Sequence, residues 1–283
     1  MNTLISAADL RASIAAGAQP VLLDCSFDLA DPAAGERAWR EGHLPGSRYI
    51  HLDHDLAGAK HDGAGRFLGR HPLPERAAFA QRLGQLGITP TVAVVCFDAQ
   101  GGVYASRAWW MLRWMGHADV AVLDGGAAAW RAAGGVLSSD SPEHSAAPPY
   151  PALPPALPTI DAEALLARLG RTPLIDARAG ERFRGEVEPL DQAAGHIPGA
   201  RNRFFKDNLA PDGRFKSAAT LRAEWLPLLA GHAAAEVVQQ CGSGVTACHN
   251  LLALAHAGLG DSVLYAGSWS EWSADPSRPQ AQG

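Results

Sequence analysis

Cysteine is scarce in this chain, with four residues among 283, at positions 25, 96, 241 and 248. These positions show no metal-ligand spacing, and four cysteines are too few for a disulfide framework in a chain of this length. We therefore expect four reduced thiols and no metal site.

Long apolar runs are also absent, since no 18-residue segment is predominantly apolar. The first ten residues carry an acid, Asp9, and lack a basic region followed by an apolar run. These features predict neither a membrane-spanning helix nor a secretory signal. We expect a cytoplasmic protein.

The chain also has no excess of positive charge, since its formal net charge is -5 and its pI is near 6.1. This balance gives no electrostatic reason to expect nucleic acid or an anionic membrane as a partner, so small molecules and other proteins remain. With 47% hydrophobic and 19% charged residues, the composition is typical of a globular protein. The length allows one large domain or two ordinary ones.

The second half of the chain repeats the pattern of the first. A capped helix start at residues 5–10 recurs at 160–165, the short strand at 21–24 recurs at 173–176, and the Gly-His-x-Pro-Gly turn at 42–46 recurs at 195–199. Short strands that alternate with helices predict a mainly parallel sheet flanked by helices. The fold class is therefore α/β, with two tandem domains.

A proline-rich stretch separates the two halves. Residues 138–158 hold seven of the chain's 20 prolines, which predicts an extended and fairly stiff linker. The predicted domains are accordingly 1–137 and 159–283.

One stretch in the second half carries a reactive pattern, Cys241-Gly242-Ser243-Gly244-Val245-Thr246-Ala247. It follows the β-branched pair at 237–238 and precedes a helix that we expect to begin at Val245 or Thr246. The glycines let successive backbone N–H groups turn toward one point, and the positive end of the helix dipole faces the sulfur. A free cysteine is usually a small buried residue, but such a residue needs no cradle of amides. The pattern favours a reactive thiolate at Cys241.

The repeat separates structural features from functional ones. His43 and His196 both lie in the repeated turn, so we interpret both as structural, together with the repeated Asp24 and Asp176. Aligning residues 104–107 on 246–249 places Ala99 opposite Cys241. The thiol is thus confined to one half, which predicts a catalytically silent N-terminal domain and an active C-terminal domain.

The two tandem halves, the Gly-His-Ile-Pro-Gly-Ala turn, the Cys-Gly-Ser-Gly-Val-Thr-Ala loop and the Gly-Ser-Trp-Ser-Glu-Trp segment at 267–272 resemble the two-domain rhodanese family of sulfurtransferases. The loop is similar to that of the 3-mercaptopyruvate sulfurtransferase branch. The resemblance implies transfer of sulfane sulfur from 3-mercaptopyruvate or thiosulfate, through a persulfide on Cys241, to cyanide, a small thiol or a protein thiol. It implies no metal and no organic cofactor. The amides of Gly242, Gly244, Val245 and Thr246 would stabilise the anionic sulfur.

The resemblance also implies an arginine that binds the donor carboxylate, and Arg182 matches it. Family members of the mercaptopyruvate branch have a second arginine nine residues later, where this chain has Asp191. That departure leaves the preferred donor open, unless Arg184, Arg201 or Arg203 supplies the missing charge.

In the same branch, a serine works with a histidine and an aspartate as a proton relay to the departing pyruvate. Ser243 matches the serine, His71 the histidine and Asp53 the aspartate, with His54 and Asp55 as rivals for the acid's position. The order aspartate, histidine, serine is chemically sensible, because the acid fixes the tautomer of the imidazole and the imidazole polarises the hydroxyl.

Other interpretations remain beside this one. A cysteine phosphatase needs arginine as the sixth residue after the cysteine, and here that residue is Ala247. A non-catalytic module that carries sulfur for a protein partner is the second alternative. Cys248 is expected to pack in the core, and Trp269 is either an apolar wall beside Cys241 or a core residue. A self-contained chain of two domains is expected to work as a monomer.

Overall fold

The structure, a computed structural model, describes residues 3–283 and groups them into two units. The first unit contains the described residues up to Gly58, Pro74–Ala156 and Pro211–Phe215. The second contains Ala59–Leu73, Leu157–Ala210 and Lys216–Gly283.

The first unit has a five-stranded sheet in the order β1-β5-β4-β2-β3, and every pairing is parallel. Its strands are β1 (Leu4–Ile5), β2 (Val21–Asp24), β3 (Arg48–Tyr49), β4 (Val94–Phe97) and β5 (Val120–Leu123). Its helices are α1 (Ala7–Ala15), α2 (Ala34–Glu41), α3 (Leu52–Asp55), α4 (Arg76–Gln85), α5 (Ala105–Trp114) and α6 (Gly126–Ala132).

The second unit has a four-stranded parallel sheet in the order β7-β6-β8-β9. Its strands are β6 (Leu174–Asp176), β7 (Ala200–Asn202), β8 (Val238–Gln240) and β9 (Val263–Leu264). Its helices are α7 (Ala162–Ala167), α8 (Gly180–Phe183), α9 (Ala218–Leu229), α10 (Thr246–His256) and α11 (Ser268–Ala274), with 3₁₀ turns at Phe205–Asn208 and Ala234–Glu236. The two parallel sheets flanked by helices confirm the predicted fold class.

Equivalent side chains start the first helix of each half. The Ser6 hydroxyl accepts the Asp9 backbone N–H at 3.0 Å, and the Asp161 carboxylate accepts the Ala164 N–H at 2.7 Å. Each cap satisfies an N–H group that lacks a partner inside the helix. The sequence therefore located both helix starts correctly.

Each sheet is buried against its own helices. In the first unit, Leu22 and Val95 lie in one core cluster with Leu10 of α1. In the second unit, Val238 lies in a cluster with Trp269 of α11. Helix α10 is central in that unit, because eight of its successive residues, from Ala247 to Leu254, are buried. The strand that precedes Cys241 and the helix that follows it are therefore both fixed by packing.

The repeated histidines have the same structural role. His43 Nδ1 lies 2.7 Å from the Trp39 carbonyl oxygen, and His196 Nδ1 lies 2.8 Å from the Phe183 carbonyl oxygen. Both rings are buried. These contacts to the preceding helix or turn agree with the structural interpretation.

The proline-rich stretch from 139 to 158 contains no helix or strand, and much of it lies against the first unit. The Ala147 amide donates to the Gly84 carbonyl at 2.8 Å, the Tyr150 amide donates to the Ala80 carbonyl at 2.9 Å, and the Tyr150 side chain is buried. The division into units also differs from the sequence boundaries, because Ala59–Leu73 groups with the second unit. Within residues 3–283, no helix is both long enough and apolar enough to cross a membrane.

Candidate active site

Cys241 follows the last residue of β8 and is held by α11. Its amide donates to the Ser268 hydroxyl at 3.1 Å, and its carbonyl accepts the Trp269 amide at 3.0 Å. The residue is only 1% exposed. The thiol therefore sits at the carboxyl end of a buried parallel strand, the edge at which α/β proteins build their sites.

Gly244 closes the loop onto the sulfur. Its backbone has a φ of +76°, and an added Cβ would overlap the Ala266 carbonyl oxygen. This conformation lets the Gly244 N–H donate to Cys241 Sγ at 3.1 Å. Val245 is the N-cap of α10 and Thr246 its first residue, so the positive end of the helix also faces the loop.

Gly242 makes room for two guanidinium groups. A Cβ added to Gly242 would lie 2.8 Å from Arg70 Nη2 and 3.5 Å from Arg182 Nη1. The predicted ligand Arg182 therefore lies beside the cysteine loop. Sequence reasoning missed Arg70, and its only signal was its position next to His71.

The structure brings together two members of the predicted relay. His71 Nδ1 lies 2.8 Å from Ser243 Oγ, and both side chains are buried. The segment that carries His71 is tied to α11, because the Arg70 amide donates to the Ser270 hydroxyl at 3.1 Å. The Ser270 amide in turn donates to the Gly242 carbonyl at 2.9 Å. One serine thus links the histidine segment to the cysteine loop.

The third predicted member, Asp53, lies in α3 of the first unit. Its amide donates to His51 Nδ1 at 3.0 Å, as part of the start of that helix. Of its two rivals, Asp55 forms an ion pair with Arg82 at 2.8 Å, and His54 stacks on His51 with ring centroids 4.2 Å apart.

A cluster of acids holds the two arginines. Arg182 donates to Glu188 at 2.6 Å and to Asp191 at 3.1 Å, and the other oxygen of Asp191 binds Arg70. Burial raises the pKa of Asp191, and Glu188 acts in the same direction, whereas the charges of Arg70 and Arg182 oppose the shift. The acid at position 191 is therefore a direct partner of both guanidinium groups.

The first unit places a carboxylate where the second has the thiol. Register pairs Asp24 with Phe97 and Asp176 with Gln240, so the residue opposite Cys241 is Asp98. This corrects the sequence alignment, which placed Ala99 there, because the loop after β4 is longer than the loop after β8. The Asp98 carboxylate accepts four backbone N–H groups at 2.8–2.9 Å, from Gln100, Gly102, Tyr104 and Ala105. The first unit has the anion cradle but no thiol in it.

The remaining candidates are parts of the core. Cys248 is fully buried, and its thiol donates to the Gly244 carbonyl at 3.3 Å. Trp269 is also fully buried, donates its indole N–H to the Ala193 carbonyl at 2.9 Å and packs in the core cluster of its unit. Among residues 3–283, no group of three or more His, Cys, Asp or Glu side chains is placed to hold a metal ion.

Comparison with known proteins agrees with this geometry. The model of the rhodanese-like domain matches residues 6–133 and again residues 161–275. The chain belongs to the rhodanese family. The two matches confirm the tandem repeat of the domain.

Several similar proteins are named sulfurtransferases. This chain is 48% identical to a probable 3-mercaptopyruvate sulfurtransferase of Pseudomonas aeruginosa, over 93% of its length and 92% of that protein. It is 37% identical to the human 3-mercaptopyruvate sulfurtransferase, over 90% of this chain and 85% of that protein. It is also 41% identical to a putative thiosulfate sulfurtransferase of Mycobacterium tuberculosis, over 100% of this chain and 98% of that protein.

Solved structures give the same result. The 3-mercaptopyruvate sulfurtransferase of Leishmania major matches with a TM-score of 0.84 and 28% identity, over 96% of this chain and 74% of that one. The Escherichia coli protein described among the 3-mercaptopyruvate sulfotransferases matches with a TM-score of 0.75 and 28% identity, over 95% of this chain and 100% of that one.

Proposed function

We propose that this sulfurtransferase takes sulfur from 3-mercaptopyruvate, holds it as a persulfide on Cys241 and passes it to a thiophilic acceptor. The similarity to proteins named for that donor supports the substrate. The contact between His71 and Ser243 is the observation that carries the proposal, because it fits the chemistry of the leaving group.

In the first half-reaction, the Cys241 thiolate attacks the sulfur of 3-mercaptopyruvate. A sulfur–sulfur bond forms, the carbon–sulfur bond breaks, and its electron pair goes to the methylene carbon of pyruvate. The proton that leaves the donor sulfur is delivered to this carbon, so the products are a persulfide anion and pyruvate. Atoms and charge balance without a metal or a redox partner.

Ser243 and His71 are suited to move that proton. At 2.8 Å, imidazole and hydroxyl are within hydrogen-bond distance, and the hydroxyl lies two residues after the nucleophile. Thiosulfate would release sulfite, which leaves with its electron pair and requires no proton on carbon. A buried proton relay beside the thiol therefore supports a carbon leaving group. Asp53 is proposed as the acid that orients His71.

In the second half-reaction, cyanide or a thiolate attacks the outer sulfur of the persulfide. The sulfur–sulfur bond breaks, and its electron pair returns to Cys241 Sγ. The Gly244 N–H, at 3.1 Å from this sulfur, and the N-terminus of α10 stabilise the anion in each state, while Arg182 binds the donor carboxylate. The amides of Gly242, Val245 and Thr246 are proposed to face the outer sulfur. We expect the enzyme to act as a monomer in the cytoplasm.

Thiosulfate is the second candidate donor. The 41% identity to a putative thiosulfate sulfurtransferase favours it, and so does the acid at position 191, where the resemblance to the mercaptopyruvate branch implies an arginine.

The test compares kcat/KM for 3-mercaptopyruvate and thiosulfate with cyanide as the common acceptor. We expect a clear preference for 3-mercaptopyruvate, and a preference for thiosulfate would overturn the assignment.

Cys241→Ser is expected to abolish turnover. Cys248→Ser, which changes a buried cysteine of the core, is the matched control, and the fraction of this variant that folds should keep its activity. Mass spectrometry after donor treatment should find one added sulfur atom on Cys241. Loading of Cys241 without turnover on any small acceptor would instead indicate a carrier for a protein partner.

A further inference from the structure

The family resemblance implies a second arginine at position 191, where this chain has an acid, yet two guanidinium groups lie beside the cysteine loop. The two oxygens of Asp191 bind two different arginines, Arg70 with Oδ1 and Arg182 with Oδ2. Asp191 therefore acts as a bridge that sets two guanidinium groups side by side.

Both arginines keep donors directed at the cysteine loop. Arg182 uses Nε and Nη2 for Glu188 and Asp191, and Arg70 uses Nη1 for Asp191. The two atoms nearest to an added Gly242 Cβ, Nη2 of Arg70 at 2.8 Å and Nη1 of Arg182 at 3.5 Å, are not used in these bonds, and Arg182 Nη2 follows at 3.7 Å. Since a guanidinium has five N–H donors, each arginine can bind its acid and a substrate anion at once.

Burial makes this arrangement specific. The Asp191 side chain is 3% exposed, whereas those of Arg70 and Arg182 are 21% and 17% exposed. The acid lies behind the two arginines, away from solvent, and the guanidinium groups form the more accessible layer. A guanidinium group that a buried acid already fixes in place loses little conformational entropy when it binds a ligand.

We propose that Arg70 is the second arginine that binds the anionic group of the sulfur donor, and that Asp191 is the residue that positions Arg70 and Arg182 for it. This inference rests on the proposed function, in which the anionic group is the carboxylate of 3-mercaptopyruvate. The charge lost at position 191 is supplied by a residue 121 positions earlier in the chain.

The three arginines that the sequence offered as replacements have other partners. Arg184 binds Glu186 at 2.7 Å, and Arg203 binds Glu224 at 2.5 Å. Arg201 donates to the Leu228 carbonyl at 3.1 Å. The three heavy atoms nearest to an added Gly242 Cβ all belong to Arg70 and Arg182.

The first test replaces Arg70 with methionine, which keeps the length of the side chain and removes its charge. We expect KM for 3-mercaptopyruvate to rise ~10–100-fold while kcat changes less than ~3-fold, since a charge-assisted hydrogen bond of this kind is worth one to two powers of ten in binding. Arg184→Met, at an exposed arginine of the same unit, is the matched control and should leave both constants unchanged. An unchanged KM in the Arg70→Met variant would overturn the proposal.

A binding measurement separates this proposal from the proposed function. Calorimetric titration of 3-mercaptopyruvate into the Cys241→Ser protein measures binding without turnover. In the double variant that also carries Arg70→Met, the dissociation constant should rise ~10–100-fold. Equal affinities would refute the role of Arg70 even if the enzyme is active. A lack of turnover in the wild type, together with weaker binding in the variant, would refute the reaction and keep the anion site.

An exchange of the two charges tests the positioning role of Asp191. Arg70→Asp places two acids together, and Asp191→Arg places three arginines together, so each single variant should lose at least ~10-fold in kcat/KM, mainly through KM. The double variant restores an opposite pair and should regain at least ~10-fold over the Arg70→Asp variant. If the double variant is no better than the worse single variant while its thermal unfolding is unchanged, the bridge does not position the arginines.

Discussion

His71 Nδ1 and Ser243 Oγ lie 2.8 Å apart, although the residues are 172 positions apart in the chain. The contact is possible because Ala59–Leu73 belongs to the same unit as the cysteine loop. Gly69 permits this close approach, since its φ is +104° and an added Cβ would lie 2.8 Å from the Gly267 carbonyl oxygen. His71, Ser243 and Cys241 therefore all belong to the second unit.

The proposed relay predicts a donor-dependent effect of Ser243→Ala. Removal of the hydroxyl should lower kcat with 3-mercaptopyruvate ~100-fold, because the carbon leaving group loses its proton source, and should lower kcat with thiosulfate less than ~3-fold. His71→Asn should show the same split. Steady-state kinetics with both donors measure it, with the exposed Ser277→Ala as the control. Equal losses with both donors would mean that the pair supports the loop and moves no proton.

Gly244 predicts a steric effect that a second glycine can separate from backbone strain. Gly258 has a similar φ, +66°, but an added Cβ there meets nothing within 4 Å. Gly258→Ala should therefore lower the free energy of unfolding by only about 1–2 kcal/mol, the cost of holding an alanine in the left-handed conformation. Gly244→Ala should cost about 1–3 kcal/mol more, because its Cβ overlaps the Ala266 carbonyl, and should abolish turnover. Urea unfolding of the two variants measures the difference, and equal costs would contradict this account.

Asp24 predicts a pH-dependent stability. Burial raises the pKa of Asp24 to about 6, with Asp98 acting in the same direction, while the hydrogen bonds from Ser26 and the charge of His43 oppose the shift. Because the pKa is higher in the folded than in the unfolded protein, the favourable contribution of the protonated form is present below pH ~4 and is lost as the pH rises through about 6.

Asp24→Asn should therefore stabilise the protein at pH 8, by at most ~3 kcal/mol, and change little at pH 4. Thermal unfolding midpoints at the two pH values give the comparison, and the exposed Asp140→Asn should show no such difference. A variant that is destabilised at pH 8 would show that the ionised carboxylate is needed in the fold.

Local patterns predicted much of each unit. The strand at Val21–Asp24 and the helix start at Thr246 appear where the sequence placed them, since both depend on residues adjacent in the chain. The repeat also identified His43 and His196 as structural, and their matched contacts with backbone carbonyls explain why both halves keep them.

The sequence did not predict the parts of the site that depend on loop length or on contacts between distant segments. Ala99 was placed opposite Cys241 because loop residues were counted from the following helix, whereas strand register assigns Asp98 to that position. Arg70 gave no pattern of its own, because an isolated arginine in a loop is usually solvated. The role that we propose for it depends on its contacts with Asp191 and Ser270.

By itself, the sequence determined the tandem α/β repeat, the cysteine that we propose as the nucleophile and the shape of its loop, because strand periodicity, helix capping and the glycines around Cys241 act over a few residues. Only the tertiary structure decided which side chains surround that nucleophile. Folding brings Ala59–Leu73 against the loop and pairs Asp191 with Arg70, and such contacts depend on the packing of segments more than 100 residues apart.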